Sequence, residues 1–131
     1  MNIPSSLKYT EEHEWIRIEA DGTTAYVGIT DFAQGELGEL VYVEVETVGE
    51  ELGKGEIFGT VEAVKTTAEL FMPVSGKVLE FNPGLSESGD DNPALINDDP
   101  YGDGWIVKIQ LSNPAEVNDL MSAESYQAMI S

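Results

Sequence analysis

Short runs in which apolar and polar residues alternate recur along the chain between glycine-containing turns, which is the pattern of half-buried strands. His13 to Ile18 and Thr24 to Ile29 flank Ala20-Asp21-Gly22-Thr23, and the Asp-Gly turn predicts a hairpin. In Leu40 to Val45, residues Val41, Val43 and Val45 share one face and Leu40, Tyr42 and Glu44 the other. Gly49, Gly53 and Gly55 bracket Glu50-Glu51-Leu52, a turn-rich connection into a strand over Glu56 to Glu62. Ala68 to Val74 resumes the alternation with Leu70, Met72 and Val74 together. Pro73 has no N–H to give to a ladder, so that strand ends, bulges or lies at an edge there. Ser75-Gly76 turns the chain into Lys77 to Phe81, and Trp105 to Leu111 alternates Trp105, Val107, Ile109 and Leu111 against Ile106, Lys108 and Gln110.

Helical signals are few. Thr30-Asp31-Phe32-Ala33-Gln34-Gly35 reads as a short helix capped by Asp31, with Gln34 returning the bond and Gly35 as the stop. Asn82 to Gly104 is rich in Pro, Gly, Asn, Asp and Ser and reads as surface with a helical turn near Pro93 to Ile96. Asn113-Pro114-Ala115-Glu116 supplies a cap, a proline at the first helical position and a Glu to complete the box, so a helix starts there. Another runs from about Ser122, with Tyr126, Met129 and Ile130 spaced to pack on a sheet. The sum is a mainly β fold of many short strands, a small sandwich or flattened barrel, with a helical C-terminal segment over about 113–130. The 131 residues suit one domain.

Composition narrows the function. Six Lys and Arg against 25 Asp and Glu give a formal net charge of −19. Such a surface repels nucleic acid and anionic membrane, and like-charge repulsion between copies favours a monomer. Cysteine is absent and His13 is the sole histidine, so a disulfide framework, a thiolate or His-rich metal site and a thiol nucleophile are excluded. No apolar run approaches the roughly 20 residues that span a bilayer, and the N-terminus lacks the regions of a signal peptide. His13, between Glu12 and Glu14, reads as a surface or strand-edge residue rather than a general base. The acids Glu87, Asp90, Asp91, Asp98, Asp99 and Asp103 fail the calcium-loop spacing, with Pro93 and Pro100 interrupting them. No catalytic residue and no metal ligand set is expected.

One lysine stands apart. Gly59-Thr60-Val61-Glu62-Ala63-Val64-Lys65-Thr66-Thr67-Ala68-Glu69 puts Lys65 at the bend between two strand-like runs, where an accessible amine can accept an amide-forming modification. A solubilising surface lysine fits the same spacing, and the spacing leaves both readings open.

Longer motifs carry a family resemblance. They are Tyr9-Thr10-Glu11-Glu12-His13-Glu14-Trp15, Val27-Gly28-Ile29-Thr30-Asp31-Phe32-Ala33-Gln34 and Leu37-Gly38-Glu39-Leu40-Val41-Tyr42-Val43-Glu44, followed by Val61-Glu62-Ala63-Val64-Lys65, Pro73-Val74-Ser75-Gly76-Lys77-Val78 and Asn97-Asp98-Asp99-Pro100-Tyr101-Gly102-Asp103-Gly104-Trp105. In this order, from Leu7 to the C-terminal helix, the chain resembles the lipoyl-carrying H proteins of the glycine cleavage system. The resemblance implies a lipoyl-domain fold of two small antiparallel sheets, with lipoate amide-linked to Lys65. It also implies partners. Glycine decarboxylase loads an aminomethyl group, aminomethyltransferase takes it, dihydrolipoamide dehydrogenase reoxidises the dithiol, and a lipoate-attaching enzyme supplies the cofactor. Biotin carriers share the general fold, but their motif has methionines on both sides of the lysine, where this chain has Val64 and Thr66.

On this reading the protein is a noncatalytic carrier whose redox sulfurs belong to the cofactor. A lipoate relay that hands lipoyl groups to other acceptors is the alternative. Glu14 and Glu69 are candidates to hold the protonated amine of the loaded arm. The stretch from Asn82 to Ile96 is about four residues longer than the family pattern. The lack of a transit segment favours a bacterial cytoplasm, and a processed chain of the mitochondrial matrix would read the same.

Overall fold

The computed structural model describes residues 2–131. Nine strands, β1 (Lys8–Tyr9), β2 (Glu14–Ile18), β3 (Thr24–Ile29), β4 (Leu40–Glu44), β5 (Glu51–Leu52), β6 (Ile57–Ala63), β7 (Thr67–Phe71), β8 (Gly76–Phe81) and β9 (Val107–Leu111), form two sheets with every pairing antiparallel. The larger has the order β1-β2-β3-β9-β8-β5 and the smaller β4-β6-β7. Helices α1 (Asp31–Leu37), α2 (Ala94–Asp98) and α3 (Ala123–Ile130) and a 3₁₀ helix over Pro114–Asp119 complete the chain. The expected mainly β fold of two antiparallel sheets with short helices is the one observed.

Alternation explains how the layers meet. Ile16, Val27, Val78 and Ile109 of the larger sheet and Phe58, Val61 and Leu70 of the smaller one are buried in a shared core. Burying each such side chain contributes roughly 1.5–3 kcal/mol. The opposite face of β2 carries Trp15, fully buried with Leu7, Tyr9 and Tyr126 in a second cluster beneath α3. Gly28 leaves room for that indole, because a Cβ there would lie 2.7 Å from the Trp15 ring. Glu14 lies two residues from Ile16 and so points toward the space between the sheets.

Departures from the sequence reading are local. Thr30, not Asp31, caps α1: its backbone is extended and its hydroxyl accepts from the Ala33 amide at 3.2 Å. Gly35 does not stop the helix, which runs on to Leu37 and ends at Gly38, whose φ of 80° suits glycine. The register of β4 against β6 shifts between Leu40 and Tyr42, so Leu40 and Val43 are both buried while Val41 faces solvent. The two-residue strands β1 and β5 carry too little alternation to be seen in sequence, and β5 occupies what reads as a turn. The Asn113 side chain caps the 3₁₀ helix, but Glu116 does not complete a box; its carboxylate accepts from the Ser75 amide at 2.9 Å and hydroxyl at 3.2 Å. On α3, Tyr126 packs inward as expected, whereas Met129 is exposed.

The long acidic stretch is a folded loop. Asn82, buried, donates to the Asp103 and Trp105 carbonyls and accepts from the Gly84 amide. Backbone bonds from Leu85 and Ser86 to the Asn82 carbonyl, and from Asp90 to that of Pro83, close it. No described helix is long and apolar enough to cross a membrane.

Candidate functional site

Strands β6 and β7 form a hairpin whose bend is Val64-Lys65-Thr66. The last paired residues are Glu62 with Thr67 and Val61 with Ala68, and the Ala63 amide donates to the Thr66 carbonyl at 2.7 Å to close the turn. Lys65 is exposed, and among the described residues the one ion pair joins Arg17 and Glu19, so its ammonium is not held by a carboxylate. Val64 beside it is 70% exposed. The hairpin therefore presents an amine at its tip, where another protein's active site can reach it.

Beneath the bend lies a groove of about 450 Å³. Strand residues Val61, Ala68 and Leu70 form one wall and α1 residues Phe32, Ala33 and Leu37 the other, with Ile29 at the base. Glu12, Glu14, Glu36 and Glu69 add carboxylates, and His13 adds an imidazole. At about 3.3 Å per residue of extended chain, Ala68 is at most about 10 Å along the backbone from Lys65. A long side chain grown from that lysine can fold back onto this apolar floor.

Glu14 is the unusual group in the groove. It is 1% exposed, its carboxylate accepts from the Thr10 hydroxyl at 2.8 Å and from the Phe71 amide at 3.3 Å, and burial pushes its pKa up to about 7. It thus carries a partial charge at neutral pH, which a nearby cation would complete. Glu69 is exposed on β7 at the same groove.

His13 is built in rather than free. Its φ of 71° puts a non-glycine residue in the left-handed region, and its Nδ1 shares a hydrogen bond of 2.8 Å with the Tyr126 hydroxyl, which in turn meets the Thr30 hydroxyl at 2.7 Å. Burial lowers its pKa. The imidazole is therefore a structural partner of α3 and, through Tyr126, of the α1 cap.

Glu14 and Glu69, the carboxylates that the sequence reading singles out, both line the groove. That reading missed the α1 wall. Phe32 and Glu36 are four residues apart and so share a helix face, a signal present in the sequence once the helix is known to continue past Gly35.

Comparison with known proteins gives concordant results. Residues 7–131 match the family model described as glycine cleavage H-protein. The glycine cleavage system H protein of Bacteroides fragilis is 53% identical over 130 residues, covering 99% of this chain and 98% of the relative. That of Chlorobium luteolum is 54% identical over the same coverage. The crystal structure of a glycine cleavage system H protein from Mycobacterium marinum superposes with a TM-score of 0.86 at 38% identity, covering 98% of both chains.

Proposed function

The chain belongs to the glycine cleavage H-protein family, and from that premise we propose that it carries lipoate as an amide on Lys65 and shuttles a glycine-derived one-carbon unit between separate enzymes. It is a carrier and not a catalyst. One observation supports the attachment point above the others: Lys65 is exposed at a hairpin tip, held by no carboxylate, with an apolar groove below it. The lipoyl dithiolane, when bound, supplies the sulfurs that take up the one-carbon amine and the electron pair released at decarboxylation.

The chain's own residues place and protect that cargo. Phe32, Ala33, Leu37, Val61, Ala68 and Leu70 offer the arm an apolar bed that excludes water. Glu14 and Glu69, which line the groove, would hold a protonated amine carried on the arm; its charge would favour the ionised form of the Glu14 carboxyl and allow a charge-assisted hydrogen bond. Tethering raises the local concentration of cargo at whichever enzyme is docked and keeps it from diffusing away. The partners on this reading are glycine decarboxylase, aminomethyltransferase, dihydrolipoamide dehydrogenase and a lipoate-attaching enzyme, in a bacterial cytoplasm.

Intact-mass measurement after incubation with a lipoate-attaching enzyme tests the assignment. The expected result is one lipoyl adduct, mapped to Lys65 by peptide sequencing. Lys65→Arg should abolish both the adduct and reconstituted glycine decarboxylation while leaving the melting curve in place. An adduct elsewhere, or full glycine cleavage by Lys65→Arg, would overturn the proposal. Transfer of lipoyl groups to other acceptors without glycine cleavage would select the relay.

A further inference from the structure

We propose that Asn97, on α2, is a positioning residue for Lys65. This rests on the reading of Lys65 as the acceptor amine. The bend Val64-Lys65-Thr66 has one backbone hydrogen bond to anything outside its own hairpin among the described residues: the Val64 amide donates to the Glu39 carbonyl at 3.2 Å. Glu39 itself sits in the corner between α1 and β4, just after Gly38 with its φ of 80°. A corner built on a left-handed glycine and an exposed glutamate has little packing of its own.

Asn97 supplies what the corner lacks. Its Nδ2 donates to the Gly38 carbonyl at 2.9 Å and to Gln34 Oε1 at 2.9 Å, and its Oδ1 accepts from the Leu40 amide at 3.0 Å. The residues before and after Glu39 are thus held by one side chain, which leaves the Glu39 carbonyl aimed at Val64. The site demands a primary amide. Two of its three contacts are oxygens that need donors and the third is an N–H that needs an acceptor, so Asp would set a carboxylate against two oxygens. Both amide orientations follow from the network, because Gln34 Nε2 donates to Asp31 Oδ1 at 2.7 Å and so leaves Oε1 for Asn97.

The consequence concerns geometry at the amine and not its chemistry. With the corner fixed, the bend offers Lys65 to an attaching enzyme from one place; with it loose, Lys65 spends less time in line for attack. Docking on the rest of the surface is unaffected, so the loss falls on kcat rather than KM.

Amide hydrogen exchange by NMR on the full chain, combined with lipoylation kinetics, tests this. Asn97→Ala should speed exchange of the Val64 amide at least tenfold with Val27 and Ile109 unchanged, and lower the kcat of lipoylation about three- to tenfold with KM within twofold. Asn97→Asp should behave like the alanine variant. Gln34→Ala, which removes one of the three contacts and guards against misfolding of the others, should speed Val64 about threefold. Unchanged Val64 exchange, or equal acceleration of all three amides as in a general loss of stability, would overturn the proposal, as would a loss confined to KM. If the wild-type chain is lipoylated somewhere other than Lys65, the carrier reading fails, and Val64 exchange still decides whether Asn97 braces the bend.

Discussion

Glu14 shows how one residue can be named by sequence and still be misjudged. Its acidity made it a candidate, and its neighbour Trp15 marks the motif, but the groove that buries it depends on the Phe71 amide 57 residues away. The place of Lys65 at a bend is legible because its setting is local, a lysine between two alternating runs, whereas its reading as an attachment point comes from the family motif. Asn97 is not, because its partners Gly38 and Leu40 are 59 and 57 residues distant and nothing in its own neighbourhood sets it apart from the other polar residues of the loop. The raised pKa of Glu14 fixes a sign for stability. The folded state keeps its proton up to about pH 7, whereas the unfolded chain releases it near 4.5, so this group's contribution is full below pH 4.5 and is lost as pH rises toward 7. Glu14→Gln keeps the shape and one of the two hydrogen bonds, because its single amide oxygen accepts from the Thr10 hydroxyl or from the Phe71 amide but not from both. In urea unfolding, wild type should lose on the order of 3 kcal/mol relative to this variant between pH 4.5 and pH 8, a change with pH that the lost hydrogen bond does not affect. The same variant should shorten the lifetime of the amine-loaded carrier at pH 8, and wild type should lose that advantage as pH falls below 7.

Elements were read well where a periodic pattern decides them and poorly where a single bond does. Strands β2, β3, β6 and β9 follow from alternation, because each has one face on the shared core. The faces of β4 did not, since a bulge moves Leu40 and Val43 to the same side and no residue type announces it. The cap of α1 is undecided in sequence for a related reason: Thr30 and Asp31 both qualify, and in the fold the Thr30 hydroxyl takes the Ala33 amide while the Asp31 carboxylate accepts from the Asn2 amide and the Gln34 side chain. Helix α3 is fastened by Tyr126, which stacks on Tyr9 with ring centres 4.9 Å apart and joins His13 to Thr30. Tyr126→Phe keeps the stack but removes a partner of the buried Thr30 hydroxyl and of the half-buried His13 imidazole, so it should cost about 1–3 kcal/mol in a urea titration. The His13 resonance should report the change, since its Nδ1 loses its neighbour. An unchanged midpoint would mean that water replaces the hydroxyl.

At the scale of the molecule, charge and layering govern behaviour. A formal charge of −19 makes association with basic protein surfaces fast at low salt and slow at high salt. Stopped-flow docking to glycine decarboxylase should slow about tenfold between 50 and 300 mM salt, with dissociation little changed. Salt-independent association would remove electrostatic steering from the account. The layering has a practical side. Trp15 lies in β2, and Trp105, two residues before β9, packs edge-on against Tyr26 of β3, so both indoles sit at the larger sheet and the hairpin sheet next to Lys65 has none. Tryptophan emission, excited where Tyr42 of β4 does not absorb, consequently watches only one half of the molecule. Emission and far-ultraviolet dichroism curves that superimpose would show the two layers melting as a unit; a dichroism change that precedes the emission change would identify the lysine-bearing layer as the part that lets go first.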